Sequence, residues 1–210
     1  PELIQARSSR THRSTLLHYI GANGIESWRQ KTPLNAPEVA EVLLEAGAEV
    51  DAEADMYGGG ATTLGLVATS IHPWPAGLVE RLIDLLLSHG AQMRGPDLVN
   101  GCLANGRPWA AIHLALHGAP LDLEGASGVG RLDLMEEFFD QNGNLRNATS
   151  AQMHNGFAWA CEYGVTEPAE LLLDKGMPIG APIRDHGQTG LHWAAYGAHL
   201  ETVKMLLGRG

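Results

Sequence analysis

The sequence predicts an all-α chain built as a stack of about six short helix–turn–helix repeats, with short or absent β-hairpin fingers between them. Two recurring phrases predict it. The first is a leucine pair, two mostly polar residues, a glycine and often an alanine. It appears as Leu43-Leu44-Glu45-Ala46-Gly47-Ala48, as Leu86-Leu87-Ser88-His89-Gly90-Ala91, as Leu172-Leu173-Asp174-Lys175-Gly176-Met177 and as Leu206-Leu207-Gly208-Arg209-Gly210. The leucines belong to the apolar face of a helix. The glycine supplies the positive φ that ends one. The second phrase precedes the capping glycine and is fullest in Gly187-Gln188-Thr189-Gly190-Leu191-His192-Trp193-Ala194-Ala195. It predicts a short inner helix that packs under the longer outer one.

Taken in order, the repeats span approximately 13–47, 48–90, 91–118, 119–143, 144–176 and 177–210, within one domain covering 1–210. The first carries Thr15-Leu16-Leu17-His18-Tyr19 and an expanded turn around Ser27–Pro37. The second reads Thr62-Thr63-Leu64-Gly65-Leu66 and is expanded by Ser70–Gly77, where Pro73 and Pro75 stiffen the chain around Trp74. The third and fourth, Asp97-Leu98-Val99-Asn100 and Leu123-Glu124-Gly125-Ala126, are degenerate. They end in the weaker phrases at Gly118 and Gly143. The fifth reads Asn155-Gly156-Phe157-Ala158-Trp159-Ala160-Cys161. Side-chain oxygens of Thr15, Thr62, Asp97, Asn155 and Thr189 are placed to cap inner helices. Fingers are expected near 51–60, 145–154 and 179–187. The glycine spacings are 43, 28, 25, 33 and 34 residues, so the middle repeats are shortened and one is enlarged.

The phrase ending in Thr189-Gly190-Leu191-His192-Trp193-Ala194 resembles the ankyrin repeat signature T-P-L-H-x-A, with glycine in place of proline. The resemblance extends, with weaker copies, over roughly 13–210. It implies an ankyrin-type solenoid whose conserved-type histidines, here His18 and His192, bridge backbone groups of adjacent turns. It also implies partner binding through the concave inner-helix face and the fingers. The last repeat is the fullest copy and lacks a polar outer face, so the array is expected to be part of a longer one.

Composition narrows the partners. With 14 Lys and Arg against 24 Asp and Glu, the net charge is −10. Nucleic acid binding needs basic clusters that displace phosphate counterions, and none is present. No apolar run approaches the ~20 residues that cross a bilayer. Cys102 and Cys161 stand far apart in apolar stretches, which fits two free thiols in a reducing, cytoplasmic setting.

No catalytic constellation emerges. Gly58-Gly59-Gly60 lacks the lysine and the hydroxyl residue of a phosphate loop. Gly125-Ala126-Ser127-Gly128-Val129 lacks the last glycine of a nucleophile elbow. His113 and His117 have helical spacing for zinc but no local cysteine or carboxylate completes a set. The expectation is therefore no catalytic residue, cofactor or metal, and a non-catalytic scaffold for an unidentified protein partner. The alternative is a regulatory or targeting segment of a larger enzyme or toxin, with a small-ligand or metal site built from the histidines third. Trp159 and Trp193 are read as core. The protein-binding set is Tyr57, Trp74, Asn105, Glu162, Tyr163 and Tyr196, chosen as aromatics and their neighbours on the inner helices, fingers and insertion. A monomer is expected, with edge-to-edge association at the C-terminal repeat as the alternative.

Overall fold

The computed structural model describes residues 3–21, 31–183 and 187–210. The described residues form eleven α-helices and two 3-10 turns, and their β-structure is two isolated antiparallel bridges, Ala54 with Ala61 and Phe139 with Leu145. The chain divides into two compact units. The first contains Pro1–Arg94 and Ala104–Leu114; the second contains Gly95–Leu103 and Ala115–Gly210. The expanded turn around Ser27 lies outside the described residues up to position 30, as does the tip of the last finger at 184–186.

The first unit opens with a 3-10 turn, Leu17–Ile20, followed by α1 (Ala36–Glu45), α2 (Thr63–Thr69) and α3 (Val79–Ser88). The turn packs on α1 and α2, and α3 packs on both helices. Leu17, Leu64, Val67, Leu82, Ile83 and Leu86 are fully buried. All but the last two residues of α5 (Pro108–Leu116) belong to this unit, and its Ala110, Ala111 and Leu114 are buried.

The leucine–glycine phrase acts through its backbone. After α1, Gly47 takes φ +93°, its N–H reaches the Leu44 carbonyl at 2.9 Å, and the Ala48 N–H reaches Leu43 at 3.0 Å. Gly90 and Ala91 repeat the pair on Leu87 and Leu86, and Gly176 and Met177 on Leu173 and Leu172. These are Schellman closures, in which the leucines serve twice, as core side chains and as carbonyl acceptors. Gly143 departs from this expectation. It lies in an Asp140–Asn144 turn beyond the helix, fixed by Asp140 Oδ1 accepting from the N–H groups of Asn142 and Asn144.

The second unit holds α4 (Asp97–Ala104, except its last residue), α6 (Leu123–Val129), α7 (Leu132–Met135) with the 3-10 turn Glu136–Phe138, α8 (Ser150–Tyr163), α9 (Thr166–Asp174), α10 (Gly190–Tyr196) and α11 (Leu200–Arg209). Helix α8 is its centre and packs on α6, α9 and α10, while α11 closes on α9 and α10. Phe157, Leu123, Met135, Leu172, Ile183 and Leu206 join one continuous core.

The helix starts correct three expected caps: Leu16, with no side-chain cap bond, precedes the first 3-10 turn, so Thr15 lies one residue outside it. Asp97 is the first residue of α4 rather than its cap. Asn155 lies inside α8, whose N-cap is Thr149: the Thr149 hydroxyl accepts from the Gln152 N–H, and the Gln152 side chain accepts from the Thr149 N–H at 2.8 Å. The finger expected at 145–154 is correspondingly shorter and bridges at Phe139 and Leu145. Asp122, capping α6 through the Gly125 N–H at 2.8 Å, also accepts from Asn100 Nδ2 at 3.0 Å and Gln152 Nε2 at 2.9 Å. That one carboxylate ties together three helix starts.

Thr62 caps α2 as expected, accepting from the Gly65 N–H at 3.1 Å. Thr63 beside it is fully buried, and its hydroxyl has no partner among the described residues. An unsatisfied buried hydroxyl costs more than an apolar group of the same shape. Thr63→Val is therefore expected to raise stability by about 1 kcal/mol, measured by urea unfolding. A loss of stability would show that the hydroxyl is bonded in solution.

Candidate functional site

The inner-helix starts decide which polar residues are committed to the fold. His18 is buried. Its Nδ1 accepts from the Thr15 N–H at 3.1 Å, which places the proton on Nε2, and Nε2 donates to the Ala61 carbonyl at 3.0 Å. The imidazole thus joins one helix start to the base of the finger that follows. Burial pushes its pKa below the ordinary histidine value, opposed by the backbone hydrogen bond to Ala61.

His192 makes the same local bond, Nδ1 accepting from the Thr189 N–H at 3.1 Å, but it is exposed. The two histidines therefore differ in energetic weight. His18→Ala is expected to cost about 1–3 kcal/mol, the value of a lost buried hydrogen bond and its orphaned partner. His192→Ala is expected to cost under about 1 kcal/mol, since water replaces the bond. Equal losses in thermal unfolding would contradict the assignment.

A pH dependence follows from the same geometry. The folded state holds His18 less protonated than the unfolded chain does. Its contribution is fully present above the unfolded value of about 6.5 and declines as pH falls from there toward the lower folded value. The stability difference between the wild type and His18→Gln should shrink across that window.

The glycine at the proline position of the last phrase has a packing reason. A Cβ on Gly190 would lie 2.7 Å from Phe157 Cε1 and 2.9 Å from Cys161 Sγ, leaving no room for a proline ring. Ser127, the elbow-like serine, is buried and donates to the Leu123 carbonyl at 2.6 Å, which makes it a helix-internal group. Burial pushes the Cys161 thiol up to about 12, so it stays protonated and unreactive near neutrality. Cys102 is also buried and neither cysteine forms a disulfide. Gly58, Gly59 and Gly60 all have positive φ and build a finger turn. His113 Nε2 lies 2.6 Å from Asp84 Oδ1, so that nitrogen is engaged by a carboxylate.

The aromatic residues separate into held and presented groups. Trp159 is buried, as the sequence suggests, with its indole N–H donating to Glu124 Oε1 at 2.8 Å. Tyr163 is half-buried, stacks on Trp159 with ring centroids 6.0 Å apart, and donates its hydroxyl to the Leu103 carbonyl near the end of α4. Glu162 beside it is half-buried, and its carbonyl accepts from His199 Nε2 at 2.8 Å. Trp193 is half-buried and meets Tyr196 edge to face at 5.9 Å.

The presented group is Tyr19, Tyr57, Trp74 and Trp109 in the first unit and Tyr196 in the second, exposed by 53%, 77%, 55%, 61% and 79%. Asn105 is exposed as well. Tyr57 opens the finger turn at φ +53°. Trp74 is carried by an ordered insertion: the Gly77 N–H bonds to the Trp74 carbonyl at 2.9 Å and the Leu78 N–H to Pro73 at 3.0 Å, while Ser70, His72 and Pro73 are buried beneath it. Trp109 does not stand out in the sequence. Its helix, Pro-Trp-Ala-Ala-Ile-His-Leu-Ala-Leu, is apolar nearly all round, so no polar stripe marks an outward side.

Comparison with known families adds one match. Residues 123–210 match the family model for ankyrin repeats in three copies. That stretch carries α6 with α7, α8 with α9 and α10 with α11. No curated protein matches the chain. No helix among the described residues is long and apolar enough to cross a membrane.

Proposed function

We propose that this chain, whose residues 123–210 match three ankyrin repeats, generally protein–protein interaction modules, is a non-catalytic scaffold that binds a protein partner through its exposed aromatic residues. The observation that carries the reading is the presented group itself. Tyr57, Trp74 and Tyr196 are large, mostly exposed and mounted on ordered backbone. Interface energy concentrates in a few aromatic and arginine anchors, and rigid presentation lowers the entropy lost on binding. Asn105 and the half-buried Glu162 and Tyr163 would contribute at the edges of contact rather than at its centre. The buried thiols outside any disulfide and the acidic balance fit a cytoplasmic protein partner rather than nucleic acid.

The test is affinity capture from a soluble extract of the source cells with the wild-type chain, with Trp74→Ala, with Tyr196→Ala and with a combined Tyr57, Trp74 and Tyr196 alanine variant. Each variant should melt as the wild type does. The reading expects a defined partner that the combined variant fails to retain. Undiminished retention by the combined variant would overturn it.

A further inference from the structure

The exposed indoles of the first unit are not isolated. Trp74, Gly77, Val79, Glu80, Trp109 and Ala110 line one open cavity of about 360 Å³. An adjoining cavity of about 170 Å³ shares both indoles and is lined on its own side by Ile71 and Arg107. The register that builds the first cavity is set by two helices. Glu80 and Asp84 lie one turn apart on α3, and Trp109 and His113 lie one turn apart on α5. The 2.6 Å contact of His113 with Asp84 joins the second pair, and Trp109 and Glu80 then meet at the cavity.

Charge within this cavity is unbalanced. Three carboxylates elsewhere in the unit have arginine partners: Arg81 pairs with Glu38, and Arg94 with Glu53 and Asp51. Glu80 is exposed and forms no ion pair among the described residues. Arg107, in the wall of the adjoining cavity, donates to the carbonyls of Ser70 at 3.1 Å and Gly106 at 2.9 Å. Two indoles, the aliphatic side chains of Val79 and Ala110 and one exposed carboxylate therefore line a single recess.

That combination suits a side chain that is apolar along its stem and cationic at its tip. Indole faces attract cations through the ring quadrupole. A lysine or arginine stem buries its methylenes on apolar surface while its head stays at the rim. A purely aliphatic anchor would gain nothing from the carboxylate. We propose that this cavity receives a lysine or arginine side chain of the protein partner, with Trp74 and Trp109 as the cation–π walls and Glu80 as the counter-charge. This rests on the protein-binding reading above and specifies its chemistry in the first unit. The chain's net charge of −10 favours a basic partner segment at longer range.

The test follows the indole N–H resonances of the full chain by NMR during titration with short blocked peptides. One carries a central lysine, one trimethyl-lysine and one norleucine, which is uncharged and close in shape. The lysine and trimethyl-lysine peptides should shift the Trp74 and Trp109 indoles saturably, leave Trp159 unmoved, and bind several-fold more tightly than the norleucine peptide. Glu80→Gln should weaken the lysine peptide and leave the norleucine peptide unchanged, with no change in melting. Norleucine binding as tight as lysine binding would overturn the proposal by making the recess an apolar anchor site, and the wider protein-binding reading would stand. Indoles that respond to none of the peptides would also overturn it. Failure of the wider reading is seen separately, as undiminished capture by the combined aromatic variant.

Discussion

Phe157→Ala is expected to remove about 3–5 kcal/mol from the second unit, the range for deleting a fully buried aromatic. Phe157 sits mid-way along α8, the helix that touches α6, α9 and α10, and its ring also fills the space in front of Gly190. The cavity therefore opens at the junction of three helices, where no single element can move to close it. Against a total stability of about 5–15 kcal/mol, this is enough to leave the unit marginal. Urea unfolding read through the fluorescence of Trp159, two residues along the same helix, would show it. A loss under about 1 kcal/mol would mean that α8 is not the centre of the unit.

Gly156→Val should cost about 1–3 kcal/mol, although helix propensity alone favours replacing a mid-helix glycine. A Cβ at Gly156 would lie 2.7 Å from Ser127 Oγ, 2.9 Å from Ser127 Cβ and 3.3 Å from the Leu123 carbonyl. Ser127 cannot easily turn away, because its hydroxyl is bonded to that same carbonyl at 2.6 Å. Helix α6 would have to withdraw from α8. The control is Gly208→Ala in α11, where a Cβ meets nothing within 4 Å. There the propensity term acts alone, and a gain of about 0.5 kcal/mol is expected. The same sign at both sites, in parallel unfolding curves, would contradict close approach as the reason for glycine at position 156.

How far the sequence revealed this fold depends on the range of the interaction involved. The leucine–glycine phrases at Gly47, Gly90 and Gly176 are complete within six residues, since the φ requirement and both carbonyl acceptors are local. They were legible. The Thr149–Gln152 capping box is equally local, and its S/T-x-x-Q pattern stands in the sequence. Aligning the fifth repeat on the T-P-L-H phrase instead points to Asn155, which lies inside the helix and donates its Nδ2 to Glu124 Oε2. The Asp122 junction could not be read, because its partners Asn100 and Gln152 lie 22 and 30 residues away.

The candidate site divides along the same line. Trp74 was visible because two prolines isolate it, and Tyr57 because it opens a glycine turn. Trp109 was hidden in an apolar helix whose outward side only packing decides. The commitment of Tyr163 to the Leu103 carbonyl spans 60 residues and leaves no local mark. Inner-helix tyrosines look alike in sequence, yet Tyr196 is presented and Tyr163 is held.

A binding surface and a core are distinguished most directly by the equilibrium unfolding of a chain carrying Tyr57→Ser, Trp74→Ser, Trp109→Ser and Tyr196→Ser together. Surface positions outside the core change stability by about 0.5 kcal/mol or less each, whereas core truncation costs several. Residues held for recognition should leave the unfolding midpoint near the wild-type value while the partner is lost from capture. A midpoint that collapses as in Phe157→Ala would show that these aromatics serve folding, and would contradict the scaffold proposed here.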